Sequence, residues 1–103
     1  MNKYGLPEDV FSEILGVLRR YPEIECAKIF GSRAKGNYKR YSDIDIAIYA
    51  GSSAFVKNIK QDLDDLYVIY NFDVVDYNML SNVELKAHID RVGIVINENP
   101  RPV

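Results

Sequence analysis

Two carboxylates two residues apart, Asp43 and Asp45, head an apolar run in which Ile44, Ile46 and Ile48 alternate with Asp43, Asp45 and Ala47. Alternation of period two reads as a half-buried strand. The isoleucines then pack on one face and both carboxylates share the other, with Cα atoms roughly 6.5 to 7 Å apart from the strand rise. Like charges that close repel each other, and protonation, water or a cation must relieve the repulsion. Mg²⁺ suits that task, because it takes carboxylate oxygens and keeps positions open for phosphate oxygens.

Before Asp43, with ten residues between, a Gly-Ser turn (Gly31, Ser32) follows another apolar run. Gly31 lets backbone approach a ligand or adopt positive φ. Ser32 can cap a short helix over residues 32–35 while its hydroxyl reaches a phosphate. An anion cradle and metal-binding carboxylates on adjacent strands make a site for a metal-bound nucleoside triphosphate. No Gly-Lys-Ser/Thr follows the first glycine at Walker spacing, so this is not a P-loop.

The string GSRAKG at residues 31–36, followed by SDIDIAI at 42–48, closely resembles the nucleotidyltransferase signature of the DNA polymerase β superfamily. The short chain is similar to its minimal branch (MNT), whose members pair with helical HEPN proteins. The resemblance covers about residues 8–97. It implies an α+β fold, a small mixed β-sheet with helices packed on one side. It also implies a reaction in which an acceptor hydroxyl attacks the α-phosphorus of a nucleoside triphosphate, ATP first, and releases pyrophosphate. Asp43 and Asp45 would hold two Mg²⁺ ions, and a third carboxylate would complete the second site. The family's pattern, an Asp entering a strand after an apolar residue, matches Asp73 in FDVV, with Asp76 the alternative. By the same resemblance Gly31 and Ser32 would bind the nucleotide phosphates and Arg33 would help neutralise them. The implied acceptor is a tyrosine of a HEPN toxin, which makes the protein an antitoxin. A nucleotide-binding or toxin-neutralising subunit that works by contact is the competing reading.

The elements that must position these residues can be read along the chain. Pro7 suits the start of a helix, with Glu8 and Asp9 where the helix dipole favours negative charge and Phe11, Ile14, Leu15 and Leu18 at helical spacing. Residues 24–30 read as the first strand, and Ser52 or Ser53 caps a helix to about Leu66. Residues 72–77 read as the third strand. Ser81 or Asn82 caps a last helix that Gly93 stops, and 94–96 form a short apolar return. Residues 1–97 are expected to form the nucleotidyltransferase domain and 98–103 a disordered tail.

Four cations, Arg33, Lys35, Lys39 and Arg40, fall within eight residues. They read as a solvated face or as an attraction for triphosphate or an acidic partner surface. Tyr38 and Tyr41 read as packing or as base-stacking residues. His88 reads as a surface or partly buried residue. Cys26, the single cysteine, excludes an internal disulfide and reads as a buried inert thiol.

With 103 residues, 48% apolar and 27% charged, the chain reads as one ordinary globular domain. A formal net charge of −2 gives no global reason to bind nucleic acid or an anionic membrane. With no long apolar segment and no secretory signal, a cytoplasmic setting is expected. A chain this short leaves the acceptor site to a partner or to self-association, so a homo-oligomer is a further expectation.

Overall fold

Helix α1 (Glu8–Arg19) starts directly after Pro7, carries Glu8 and Asp9 in its first turn and Arg19 in its last, and buries Ile14, Val17 and Leu18. The computed structural model describes residues 1–99. Strand β1 (Ile24–Phe30) runs straight into the one-turn helix α2 (Gly31–Lys35). Gly36, at φ +89°, closes that turn, its N–H donating to the Ser32 carbonyl at 2.9 Å. Strand β2 (Ile44–Ala50) follows, then helix α3 (Ser53–Asp64), whose first turn is held by Ser52 accepting from the Ala54 N–H. Strand β3 (Phe72–Asp76) leads through a 3₁₀ turn (Tyr77–Met79) to α4 (Val83–Val92), capped by Asn82, and to β4 (Ile94–Glu98). Of the paired serines and the Ser81/Asn82 pair, Ser52 and Asn82 make the caps.

The sheet has the order β3-β2-β1-β4. β1 is antiparallel to both β2 and β4, and β2 is parallel to β3. A parallel pair needs a crossover, which α3 supplies. This is the mixed sheet and α+β class expected. Ile44, Ile46 and Ile48 point to one face, where they pack with Ala27 and Ile29 against Ile14, Val17 and Leu18 of α1 and Val56, Ile59 and Leu63 of α3. The opposite face carries a smaller cluster of Phe30, Ala47 and Ile89, joined by Tyr49, Val75 and Leu85. Helices on one side therefore describes α1 and α3, while α4 lies on the other. Sequence parity gave no sign of that second layer, because α4 buries Ile89 alone completely.

β4 continues to Glu98, and Asn99 bonds back to β1, its N–H donating to the Glu25 carbonyl and its side-chain amide to that of Ile24. Glu98 of the expected tail thus lies in the sheet, and Asn99 is tied to it. The rest of that tail, 100–103, lies outside the described residues. Among the described residues no helix is long and apolar enough to cross a membrane.

Candidate active site

Three chain segments meet at one end of the sheet: the end of β1 and the starts of β2 and β3. In the antiparallel pair Phe30 lies opposite Asp45, and in the parallel pair Asp45 lies opposite Asp73. Residues in register on neighbouring strands present side chains to the same face. Asp45 and Asp73 are therefore side by side on the α4 face. Asp43 falls one residue ahead of β2 and is exposed, as is Asp73, whereas Asp45 is half-buried. Asp76 pairs with Ile48, which sends it to the α1/α3 face. Its Oδ1 is buried and, among the described residues, accepts no hydrogen bond.

The carboxylates feel one another. Burial, then the charge of Asp73, then that of Asp43 push the Asp45 carboxyl up to about 6, with Arg33 pulling weakly the other way. The donors are hard oxygens carrying repulsion that protein cations do not offset. They do not form a closed cage: among the described residues no three His, Cys, Asp or Glu side chains are drawn up to hold a metal by themselves. An open, under-neutralised set of carboxylates fits a divalent cation that shares its coordination with a ligand's oxygens.

That upward shift has a measurable sign. The folded protein keeps the Asp45 proton to higher pH than an unfolded chain with the ordinary value of 3.8. Between about pH 4 and pH 6 the native state binds more protons, so stability falls as pH rises through that window. Solvent screening at a half-exposed group reduces the effect to about 1 kcal/mol. Without metal, the melting temperature of the wild type is expected to drop relative to Asp45→Asn as pH goes from about 4 to 6.5. Parallel curves for the two proteins would mean that Asp45 is not strained.

Gly31 sits at φ +69°, and a Cβ there would run into Asp45 Oδ2 and come within 3.0 Å of its Cγ. The turn thus brings bare backbone directly against the central carboxylate. Ser32 lies inside the first turn of α2 and does not cap it, since no side chain makes a capping bond there. It is half-buried, on the segment that touches Asp45.

Arg33 is placed differently from the sequence expectation. Its side chain is 1% exposed. Nη1 donates to the carbonyls of Tyr4 and Gly5, Nη2 to those of Arg40 and Ser42, and Nε also to Ser42, at 2.9 to 3.3 Å. Its guanidinium also lies 5.3 Å from the ring of Tyr38 and 5.0 Å from that of Tyr70. A guanidinium fork directed at carbonyls is not available to a phosphate. The physical reason is that α2 turns Arg33 into the body of the domain, where unpaired backbone acceptors of two loops need a donor. The sequence reading missed these partners. The lead-in residues 4–5 and Tyr70 carry no local pattern that announces them.

The remaining residues singled out in the sequence fall elsewhere. Tyr38 packs on Gly5, where an added Cβ would overlap its ring, and Tyr41 is exposed. His88 is half-buried, its ring edge-on to Phe30 with centroids 6.1 Å apart. Cys26 is half-buried on β1, and burial pushes its thiol above the ordinary value.

A family model described as polymerase beta, nucleotidyltransferase, matches residues 12–101. No curated protein matches the chain. Among solved structures, the fold is similar to a toxin-antitoxin crystal structure with AMP-PNP at 25% identity and a TM-score of 0.70, covering 85% of this chain and 73% of that one. It is also similar to a mutant of the toxin-antitoxin MntA-HpeT at 25% identity and a TM-score of 0.68, covering 90% and 73%. A Sulfolobus solfataricus protein solved as a candidate nucleotidyltransferase shares the fold at 23% identity and a TM-score of 0.53, covering 87% and 78%.

Proposed function

Because this chain belongs to the polymerase β nucleotidyltransferase family, we propose that it transfers a nucleoside monophosphate, AMP from ATP, to a hydroxyl of a partner protein. The observation that carries the reading is the side-by-side register of Asp45 and Asp73 beneath the Gly31 turn. The fold likeness to toxin-antitoxin structures, one of them with AMP-PNP, supports a toxin as the partner and ATP as the donor. A tyrosine of a helical HEPN toxin is the acceptor in this reading, and a cytoplasmic setting goes with it.

Asp43, Asp45 and Asp73 would hold Mg²⁺, two ions in the full reading. Bound there, the metal neutralises triphosphate charge and lowers the pKa of the acceptor hydroxyl. The chain's own groups do the rest. Gly31 presents backbone without a side chain in the way, so the Gly31–Ser32 segment holds the β- and γ-phosphates with the Ser32 hydroxyl as donor. The acceptor oxygen forms a bond to the α-phosphorus as the bond from that phosphorus to the αβ-bridging oxygen breaks. Pyrophosphate departs, and the acceptor's proton passes to a carboxylate oxygen of Asp73. Arg33 does not touch the nucleotide. It fixes the loop that delivers Asp43.

The test is label transfer. Protein is incubated with Mg²⁺, each α-labelled nucleoside triphosphate in turn and extract of the source cell, with Asp45→Asn as control. Label on one protein band, with wild type only, is the expected result and identifies the acceptor. If no nucleotide labels anything above the control, the transferase reading fails and a contact-acting, nucleotide-binding subunit replaces it.

A further inference from the structure

The loops that feed β2 and β3, residues 36–43 and 65–71, lie against each other at the carboxylate end of the sheet. Arg33 sits between Tyr38 of the first and Tyr70 of the second, and bonds the carbonyls of Arg40 and Ser42. The Ile44 N–H donates to the Asn71 carbonyl at 2.9 Å. The two loops are thereby held as one unit, with little left to order on binding.

Their outer surface is unusual for this chain. Tyr41 is 64% exposed, Ile69 70% and Tyr67 wholly so. Single exposed apolar residues need no explanation, but three on adjoining loops beside a site do. Lys39 and Arg40, in the first of these loops, are also exposed, and among the described residues neither is in an ion pair. The Arg40 guanidinium lies 5.3 Å from the Tyr41 ring.

We infer that these loops are a docking platform for a short acidic segment with an apolar anchor, on the protein that presents the acceptor hydroxyl. The acceptor's role rests on the transferase reading above. Carboxylates of the segment meet Lys39 and Arg40, and its apolar side chain covers Tyr67 and Ile69, the mixture of aromatic anchor and charge found at protein interfaces. Aromatic rings beside cations also suit single-stranded nucleic acid. Against that, Asp43 and Asp73 are exposed next to the platform, the chain's net charge is −2, and two free cations release few counterions. A continuous phosphate backbone must run past those carboxylates, whereas a short segment can set its one or two carboxylates at Lys39 and Arg40 and its apolar side chain elsewhere.

The experiment reads binding with neither nucleotide nor metal present. The probe is a fluorescent dodecapeptide with two glutamates, two leucines and a central tyrosine, alongside its twin with glutamines for the glutamates. Wild type is expected to bind the acidic peptide about tenfold more tightly than the twin. Lys39→Glu/Arg40→Glu and Tyr67→Ser/Ile69→Ser should each weaken that binding about tenfold while melting like the wild type. Equal affinity for both peptides, unchanged affinity in both variants, or displacement by a single-stranded oligonucleotide overturns the proposal. So does a matching loss of ATP affinity in Lys39→Glu/Arg40→Glu, which would assign those cations to the triphosphate. A protein that binds the peptide as described but transfers no label would sink the transferase reading and leave the platform standing. Label transfer with no peptide preference would do the reverse.

Discussion

Asp73→Asn is expected to yield a folded protein that transfers nucleotide at least about a thousandfold more slowly, equivalent to about 4 kcal/mol of barrier. Asp73 is exposed at the start of an edge strand, and the substitution keeps its shape, so stability should stay within about 0.5 kcal/mol. Removing one of the charges that push Asp45 up should bring the Asp45 carboxyl back toward its ordinary range. The variant thus loses the group proposed to take the acceptor's proton and a metal ligand together, without losing the fold. Asp76→Asn is the paired control. Register places Asp76 opposite Ile48 and away from Asp45, so its transfer rate should stay within about threefold of wild type, and any cost should appear in stability. Single-turnover label transfer and thermal melting on both variants decide the matter. A dead Asp76→Asn beside an active Asp73→Asn would exchange the two roles.

That contrast also marks how far the sequence could be read. Within one strand, parity alone put the isoleucines of β2 on the core face and Asp45 on the other, and the structure agrees. Parity within β3 sets Asp73 and Asp76 on opposite faces, but does not say which of them faces Asp45. That answer depends on the register between two strands joined by a helix, Asp45 against Asp73, and no local pattern encodes it. The family resemblance supplied the choice of Asp73.

Arg33 exposes a different limit. A cation beside a phosphate-binding turn reads as a phosphate ligand, because sequence shows proximity along the chain and not the direction of a side chain. Its actual acceptors are carbonyls of Tyr4, Gly5, Arg40 and Ser42, brought together from two loops by tertiary packing. A buried guanidinium costs several kcal/mol unless such partners are present, so the site's nearest arginine is one the fold cannot release to a ligand. The pairing of Glu98 and Asn99 is hidden in the sequence for a related reason. Glu98 and Asn99 are polar and precede prolines, yet the backbone of β1 offers them an edge to pair with.

Gly31→Ala is expected to retain every carboxylate and still lose about a hundredfold or more in transfer. Two separate costs meet at this position. An alanine at φ +69° is strained by about 1 kcal/mol, and that part should appear as a lower melting temperature with or without ligand. The second cost is positional: the added Cβ collides with Asp45 Oδ2, the free end of a side chain, which can turn aside more cheaply than backbone can shift. Turning it aside limits the stability loss to about 1 to 2 kcal/mol but changes the position of the central carboxylate relative to its register neighbour Asp73. A small displacement of a positioned group is enough to cost two orders of magnitude in rate. The same displacement should weaken stabilisation by Mg²⁺, so metal should raise the melting temperature of the wild type and barely move that of the variant. If Gly31→Ala melts lower but transfers and binds metal as the wild type does, the glycine serves the turn alone. The close approach of its backbone to Asp45 would then have no part in the chemistry.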